Sequence, residues 1–262
     1  MSVRAILLDL DDTLVPDETA ADDAIRATAE LAQARHGIDP EALRASLRKR
    51  CREIWRGNPV IARHEDFYVS SWEGLTSEFG TEPEESRRLR DWVPEYRCQS
   101  WTNALADFGI SDPALVRALV DRLQLERTER YIPYPDVEPA LQELKSKYPM
   151  VLVSNGTLKT QQRKLEYSGL TGCFSAVVIC EPLGFQKPDP RVYEVALKAA
   201  GRSASDCVMV GNSLRSDIRG AQGVGIRAIW LNRNQPVDEP DPRPDAVVSS
   251  FSELLTAMEH LG

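Results

Sequence analysis

Acidic residues follow the first apolar run of the chain at a spacing that could hold a cation. Asp9 and Asp11 come directly after residues 3–8 and stand two positions apart. On an extended chain such side chains face the same side, and two adjacent negative charges repel unless a cation holds them. Mg²⁺ takes oxygen ligands of this kind, and Asp217 could supply a further carboxylate. A carboxylate also serves as the nucleophile that forms an aspartyl-phosphate, so these acids predict a Mg²⁺ site where phosphorus could be attacked.

Two further segments carry groups that could stabilise a transferring phosphoryl group. Lys187 precedes a proline, and its ammonium could neutralise both the phosphoryl group and the Asp9 carboxylate. Ser154 ends another apolar run, and with the backbone N–H groups after it could bind phosphate oxygens where a helix begins. Electrostatic stabilisation of this type supplies most of the catalysis in phosphoryl transfer.

From about Tyr131 to the end of the chain, strand and helix patterns alternate. Apolar runs predict strands at 150–154, 176–180, 207–211, 228–231 and 246–248, with helical patterns between most of them. This alternation is typical of a parallel sheet covered by helices on both faces, so the predicted fold class is α/β with a doubly wound parallel sheet. The run 3–8 belongs to the same sheet, because its unbroken apolar character indicates a strand buried on both faces.

The intervening segment has a different pattern. The pattern of residues 19–124 predicts mostly helix. Two prolines just after Tyr131 mark the point where alternating strand and helix patterns begin. We therefore predict an α/β core formed by 1–16 and 131–262, with an all-helical domain, 17–130, inserted into it. Ligands of open α/β sheets bind beyond the carboxyl ends of the strands, so the polar residues at those ends are the candidate site.

Four motifs stand at these strand ends. The first is LLDLDDTL, the second VLVSNGT, the third FQKPDP and the fourth VMVGNSLRSDIRGA. Each piece alone is an ordinary turn or cap sequence. In this order and spacing, over a core of 1–16 and roughly 131–262, they resemble the haloacid dehalogenase superfamily in its phosphatase branch.

The resemblance implies a role for each motif residue. Asp9 would be the nucleophile that takes the phosphoryl group. Asp11 would protonate the leaving alcohol and then activate the hydrolytic water. Thr13 would help to orient Asp11 and would lie at the phosphate. Ser154 and Asn155 would bind the phosphoryl oxygens. The family's helical cap lies where the insertion stands, and it would close over the site and choose a small substrate.

The resemblance also implies a Mg²⁺ site and a stabilising lysine. Asp9, the Asp11 carbonyl and the fourth motif, through Asn212 and Asp217, would hold the metal, while Lys187 would stabilise the phosphoryl charge. The family has an acid at the position of Asn212. An amide still offers a carbonyl oxygen but carries no negative charge, so we hypothesise a weaker metal site in which Asp217 is the more important anion.

The helical insertion offers candidates for substrate contact. Arg56, Arg63 and His64 lie in WRGNPVIARH, an irregular stretch broken by Gly and Pro, where an arginine could bind a second anionic group. The ordinary alternative for these three is a solvated surface. We expect three tryptophans of the insertion to pack in its core: Trp55, Trp72 and Trp101.

Composition excludes several classes of protein. The 262 residues carry a formal net charge of -8, which disfavours binding to nucleic acid. No apolar run reaches the roughly 18 residues of a membrane span. The five cysteines are scattered and form no CxxC pair, which favours free thiols in a reducing compartment over disulfides or zinc. We expect a cytoplasmic enzyme whose partner is a small phosphorylated metabolite, with no nucleic acid and no membrane.

Three alternatives stand beside a Mg²⁺-dependent phosphatase that works through an aspartyl-phosphate. A 2-haloacid dehalogenase resembles the chain in core and cap position, but that branch lacks an acid at the position of Asp11 because its leaving group needs no proton. A phosphomutase fits the same motifs. A non-catalytic phospho-ligand-binding member of the fold is favoured only by Asn212.

Overall fold

A six-stranded parallel sheet forms the centre of the core in the computed structural model, which describes residues 3–63, 69–233 and 240–261. Its strands are β1 (Ala5–Leu8), β2 (Met150–Ser154), β3 (Ala176–Ile179), β4 (Cys207–Gly211), β5 (Arg227–Leu231) and β6 (Ala246–Val248). Their order across the sheet is β3-β2-β1-β4-β5-β6, and every neighbouring pair is parallel. The predicted α/β fold class with a doubly wound parallel sheet is confirmed.

The first strand of the chain lies in the middle of this sheet. Leu8 of β1 stands beside Leu152 of β2 on one side and Val210 of β4 on the other. All four residues of β1 are fully buried, which is why the strand is apolar on both faces. Because all strands are parallel, their carboxyl ends share one edge of the sheet, and the residues that follow β1, β2 and β4 meet there.

Ten helices lie in the described part of the chain. They are α1 (Glu18–His36), α2 (Pro40–Gly57), α3 (Ser71–Gly74), α4 (Glu84–Ala106), α5 (Pro113–Thr128), α6 (Val137–Lys145), α7 (Leu158–Tyr167), α8 (Pro190–Ala200), α9 (Gly220–Gly223) and α10 (Leu254–His260). None of these helices combines the length and apolarity that crossing a membrane demands. All five cysteines are free thiols, as expected from their scatter.

The chain divides into two compact units. The core unit comprises Met1–Pro16, Ile132–Gly156 and Ser168–Gly262, and the helical unit comprises Asp17–Tyr131 and Thr157–Tyr167. The helical unit thus includes α7, which the sequence pattern placed in the core. Within that unit, the hydroxyl of Thr160 accepts the backbone N–H of Glu78 at 3.0 Å, and Arg163 pairs with the Glu78 carboxylate.

Three helices begin with an Asp-Pro sequence: Asp39-Pro40, Asp112-Pro113 and Asp189-Pro190. In each, the aspartate side chain accepts a backbone N–H of the first turn at 2.9 to 3.0 Å. Proline suits the first helical position because its fixed φ is already helical and it lacks an N–H that would have no partner inside the helix. These pairs set the start of α2, α5 and α8.

The core of the helical unit contains two of the three predicted tryptophans. Trp55 and Trp101 are buried, and the ring of Trp55 lies 5.0 Å from that of Tyr96, centroid to centroid. Trp72 is half-buried, and the guanidinium of Arg48 lies 4.8 Å from its ring. The expected core role is confirmed for Trp55 and Trp101, whereas Trp72 takes part in a cation–π contact near the surface.

A buried ion cluster lies within the helical unit. Oδ1 of Asp17 accepts from Nη2 of Arg127 at 2.6 Å and lies 2.8 Å from Nζ of Lys164, and all three residues are at most 3% exposed. Burial by itself would raise the pKa of Asp17, but the charges of Lys164 and Arg127 outweigh it and lower the pKa to about 2. The cluster ties α5 and α7 to the residue that precedes α1.

This cluster should make the protein lose stability in acid. The unfolded chain protonates Asp17 near its ordinary pKa of 3.8, whereas the folded chain does so only near about 2. The stabilisation is therefore complete above pH 5 and is lost as the pH falls towards 2, by about 2 kcal/mol for this group alone. Urea unfolding at pH 5 and pH 2.5 measures the loss.

The Asp17→Asn variant isolates this contribution. It should be about 3 kcal/mol less stable at neutral pH, because two buried cations lose their carboxylate, and it should show a smaller loss in acid. Asp23→Asn, which changes an exposed carboxylate of α1, is the control. An acid dependence as steep in Asp17→Asn as in the wild type would contradict the assignment.

Candidate functional site

The ammonium of Lys187 lies between two carboxylates at the carboxyl edge of the sheet. Its Nζ donates to Oδ1 of Asp9 at 2.7 Å, to Oδ1 of Asp217 at 2.7 Å and to the carbonyl oxygen of Val153 at 2.8 Å. An ammonium has three N–H bonds, so each one has an acceptor. Lys187 is 2% exposed, and these three bonds fix its position.

The charges of this group influence one another strongly. Burial by itself would lower the pKa of Lys187, but the carboxylates of Asp217 and Asp9 outweigh it and hold the pKa well above its usual value. Burial raises the pKa of Asp9, and the Lys187 charge opposes that rise. Lys187 thus stays charged, and an anion bound beside Asp9 would meet a fixed positive charge.

Both oxygens of the Asp9 carboxylate are held. Lys187 binds Oδ1, and the hydroxyl of Thr13 donates to Oδ2 at 2.7 Å. The same hydroxyl oxygen accepts the backbone N–H of Asn212 at 3.1 Å, so Thr13 connects the loop after β1 to the loop after β4. A carboxylate fixed at both oxygens is oriented before any substrate arrives.

A tight turn places the residues after β1. The strand ends at Leu8, and Asp12 has a φ of 56°, with its N–H donating to the Val15 carbonyl at 2.7 Å. Asp11 lies half-buried in this turn. Strand β1 ends before Asp9, and Asp11 pairs with Val15 in an isolated bridge, so a common orientation of Asp9 and Asp11 stays a prediction.

Asp217 is carried by a wide turn after β4. Residues Leu214–Arg219 form a π-helical turn, and Oδ2 of Asp217 accepts the N–H of Ser213 at 3.0 Å. A Cβ added at Gly211 would lie 2.3 Å from that same Oδ2. Glycine is therefore required at the end of β4, because any side chain there would displace the carboxylate.

The second motif supports Lys187 from the other side. Oδ1 of Asn155 accepts the backbone N–H of Lys187 at 2.9 Å, and Nδ2 of Asn155 donates to the Lys187 carbonyl at 3.3 Å. Ser154 is fully buried, and its hydroxyl donates to the Asn155 carbonyl at 2.8 Å. The Asn155 amide thus holds the main chain of the lysine in place.

Sequence reasoning missed an arginine that holds the loop after β1. Nη2 of Arg233 donates to the Thr13 carbonyl at 3.2 Å, while Nη1 donates to Oδ2 of Asp136 at 3.0 Å. Its guanidinium also lies 3.8 Å from the ring centroid of Tyr134. Arg233 precedes a stretch of sequence rich in Pro and Asp, and nothing in that composition distinguishes it from a surface arginine.

The candidates in the helical unit are solvent-accessible where the structure describes them. Arg56, near the end of α2, and Arg63, in the short 3₁₀ turn Ile61–Arg63, are both exposed. His64 lies outside the described residues. Contact of Arg56, Arg63 and His64 with a substrate stays a prediction.

The donor set at the sheet edge suits a hard divalent cation. Asp9 and Asp217 contribute two carboxylates against the single positive charge of Lys187, and Asn212 adds an amide oxygen from the same loop as Asp217. All the donors are oxygens, which Mg²⁺ prefers over sulfur and nitrogen. These residues therefore fit the metal that the sequence predicts.

Comparison with known proteins places this chain among hydrolases. The model of the family described as haloacid dehalogenase-like hydrolase matches residues 3–225. A phosphoserine phosphatase of Thermus thermophilus is 32% identical over 97% of this chain and 99% of its own. A glyceraldehyde 3-phosphate phosphatase of Methanopyrus kandleri is 27% identical over 99% of this chain and 98% of its own. The human N-acylneuraminate-9-phosphatase is 26% identical over 99% and 95%.

Solved structures show the same fold. The HAD-hydrolase YfnB of Bacillus subtilis, bound to magnesium, superposes with a TM-score of 0.67 at 21% identity over 98% of this chain and 99% of its own. A 2-haloacid dehalogenase of Pseudomonas syringae gives a TM-score of 0.61 at 24% identity over 99% and 100%. These likenesses show the fold, and a shared fold does not by itself set the activity.

Proposed function

The chain belongs to the haloacid dehalogenase-like hydrolase family, in its phosphatase branch, and we propose that it hydrolyses the phosphate monoester of a small metabolite with Mg²⁺ and Asp9 as nucleophile. The observation that supports this most is the Asp9 carboxylate, which Lys187 and Thr13 hold at one oxygen each. A carboxylate oriented in this way beside a permanent positive charge is suited to attack a phosphorus atom.

The proposed reaction has two steps. In the first, an oxygen of Asp9 forms a bond to phosphorus, the ester P–O bond breaks, and Asp11 gives its proton to the leaving alcohol. In the second, Asp11 takes a proton from water, whose oxygen attacks the aspartyl-phosphate and releases inorganic phosphate and the free Asp9 carboxylate. The half-buried position of Asp11 in the turn after β1 agrees with a group that must reach both alcohol and water.

The other core residues would stabilise charge and position. The ammonium of Lys187 would oppose the negative charge on the phosphoryl oxygens, with Ser154, Asn155 and Thr13 at the phosphate. We propose that Asp9, the Asp11 carbonyl, Asn212 and Asp217 hold Mg²⁺, whose bound form would neutralise negative charge between the nucleophile and the phosphoryl group.

We propose that the two parts of the chain have different roles. An α/β core of 1–16 and 131–262 would carry the chemistry, and the helical domain 17–130 would select the substrate, with Arg56, Arg63 and His64 as candidate contacts. We place the enzyme in the cytoplasm, where five free thiols are stable.

Dehalogenation is the second candidate, because a solved 2-haloacid dehalogenase shares the fold. Asp11 favours the phosphatase, since a halide leaving group needs no proton and an alcohol does. A chloride-release assay on 2-chloropropionate separates the two, and the phosphatase proposal expects no release. Release of chloride at a rate above that of phosphate would overturn it.

A screen of phosphorylated metabolites with Mg²⁺, read as free phosphate, tests the proposed function. We expect turnover of p-nitrophenyl phosphate and faster turnover of one or a few small monoesters. Isomerised sugar phosphates without free phosphate would instead identify a phosphomutase. Binding of phosphorylated compounds without any turnover would identify a non-catalytic member of the fold.

Replacing Asn212 with aspartate should strengthen the metal site. The change adds a negative charge beside Asp217, and Mg²⁺ sites gain affinity with ligand charge, so we expect about tenfold tighter Mg²⁺ binding. Isothermal titration of the metal measures the dissociation constant directly. Unchanged or weaker affinity in Asn212→Asp would contradict a metal-binding role at this position.

A further inference from the structure

Tyr193 is a fully buried residue of α8 beside the turn that carries Asp217. Its hydroxyl donates to the carbonyl of Ser216 and lies 3.4 Å from the carbonyl oxygen of Asp217. Neither carbonyl belongs to the same helix as the tyrosine. The hydroxyl therefore joins α8 to the main chain at the residue that bears the second carboxylate of the site.

The ring of Tyr193 is also confined. A Cβ added at Gly220 would lie 2.6 Å from Cε2 and 2.6 Å from the hydroxyl oxygen of the tyrosine, so the ring lies directly against the glycine backbone. Because the ring cannot move towards α9, the Tyr193 hydroxyl keeps a fixed position. The position of the donor is thus set independently of the turn that it supports.

The π-helical turn Leu214–Arg219 has an unusual backbone conformation, which hydrogen bonds from outside the turn must stabilise. The N–H of Asp217 donates to the Ser213 carbonyl at 2.9 Å, and the N–H of Ile218 reaches the same carbonyl at 3.2 Å. Such π-helical turns are rare, and they occur often at functional sites. Ser213 caps the start of the turn through its hydroxyl, which accepts the Ser216 N–H at 3.1 Å, and Tyr193 holds its middle.

We propose that Tyr193 is a positioning residue, whose hydroxyl fixes the main chain at Ser216 and Asp217 and thereby sets where the Asp217 carboxylate stands relative to Lys187 and Asp9. This inference rests on the proposed function, because it assigns the tyrosine to the metal site of that reaction. Only two rotatable bonds join the Asp217 carboxylate to its main chain, so a shift of that main chain strains the bonds that the carboxylate makes with Lys187 and with the Ser213 N–H.

Tyr193→Phe tests the hydroxyl alone, because it keeps the ring against Gly220. We expect the Mg²⁺ dissociation constant, measured by isothermal titration, to rise about tenfold, the usual scale for a residue that supports a metal ligand. The Mg²⁺ concentration for half-maximal phosphatase rate should rise by the same factor, while kcat at saturating Mg²⁺ changes less than about twofold.

Tyr96→Phe is the matched control. Tyr96 is equally buried, and its hydroxyl donates to the carbonyl of Ser71 within the helical unit, so the variant loses the same kind of hydrogen bond away from the sheet edge. It should bind Mg²⁺ as the wild type does. Gly220→Ala is a second variant, which retains the hydroxyl but displaces the ring, and it should weaken Mg²⁺ binding as Tyr193→Phe does.

Two results would overturn the inference. One is wild-type Mg²⁺ affinity in Tyr193→Phe, and the other is an equal loss in Tyr96→Phe, which would indicate a general effect of a lost buried hydrogen bond. Metal titration separates this inference from the proposed function. A wild-type protein that binds Mg²⁺ but hydrolyses no phosphate ester fails the proposed function, while its titration still tests the tyrosine.

Discussion

Asp9→Asn is expected to lower kcat for p-nitrophenyl phosphate by about 10⁴-fold or more, the scale of loss when a nucleophile is removed. The amide is close to the carboxylate in size. Its carbonyl oxygen can still accept from Lys187 and its NH2 group can donate to the Thr13 hydroxyl, so the site should keep its shape. What disappears is the anionic oxygen that forms the bond to phosphorus. Steady-state rates with saturating Mg²⁺ measure the effect.

Asp206→Asn is the control for this experiment. Asp206 directly precedes β4, at the amino end of the strand, and its carboxylate lies 3.7 Å from Arg4, away from the carboxyl edge. This variant should keep wild-type rates. If Asp9→Asn retained more than about one hundredth of the wild-type kcat, nucleophilic catalysis by Asp9 would be ruled out.

Lys187→Met is expected to damage both catalysis and stability. The methionine fills similar space but leaves Asp9 and Asp217 buried without their shared cation, which should lower the free energy of unfolding by about 3 kcal/mol. Loss of the positive charge that faces the phosphoryl oxygens should lower kcat by about 10² to 10³-fold. Urea unfolding and phosphatase rates give the two values.

Lys198→Met separates these effects from those of any lysine change. Lys198 is exposed on α8 of the same unit, so its loss should alter the unfolding free energy by less than about 0.5 kcal/mol. Full activity in Lys187→Met would show that its ammonium serves only the fold. Unchanged stability would show that the two carboxylates do not need it.

Elements with strong local signals could be predicted from the sequence. The strand β2 has the predicted bounds, since a short apolar run sets them. The helix α8 has equally clear local signals, an Asp-Pro start and a following glycine. The sequence also predicted that the side chains of Asp9, Lys187 and Asp217 lie close together, because parallel strands bring their carboxyl ends to one edge of the sheet.

Long-range hydrogen bonds could not be predicted in the same way. The pattern predicted ordinary helices between most of the strands, whereas between β4 and β5 the chain forms the π-helical turn Leu214–Arg219 followed by α9. The Ser216 carbonyl of that turn accepts a hydrogen bond from Tyr193, which lies on a different helix. Arg233 likewise acts through a carbonyl of a residue that is distant in sequence, and no local pattern reports such a pairing.

The central place of β1 has a consequence for how the enzyme comes into being. During synthesis, β1 emerges before the other strands of the sheet, and its two neighbours begin only at Met150 and Cys207. A nascent chain that has reached the end of β3 already carries Asp9 but has neither the lysine nor the second carboxylate that would surround it. Translation must pass the turn after β4 before a complete site can assemble, so an unfinished chain cannot turn over substrate.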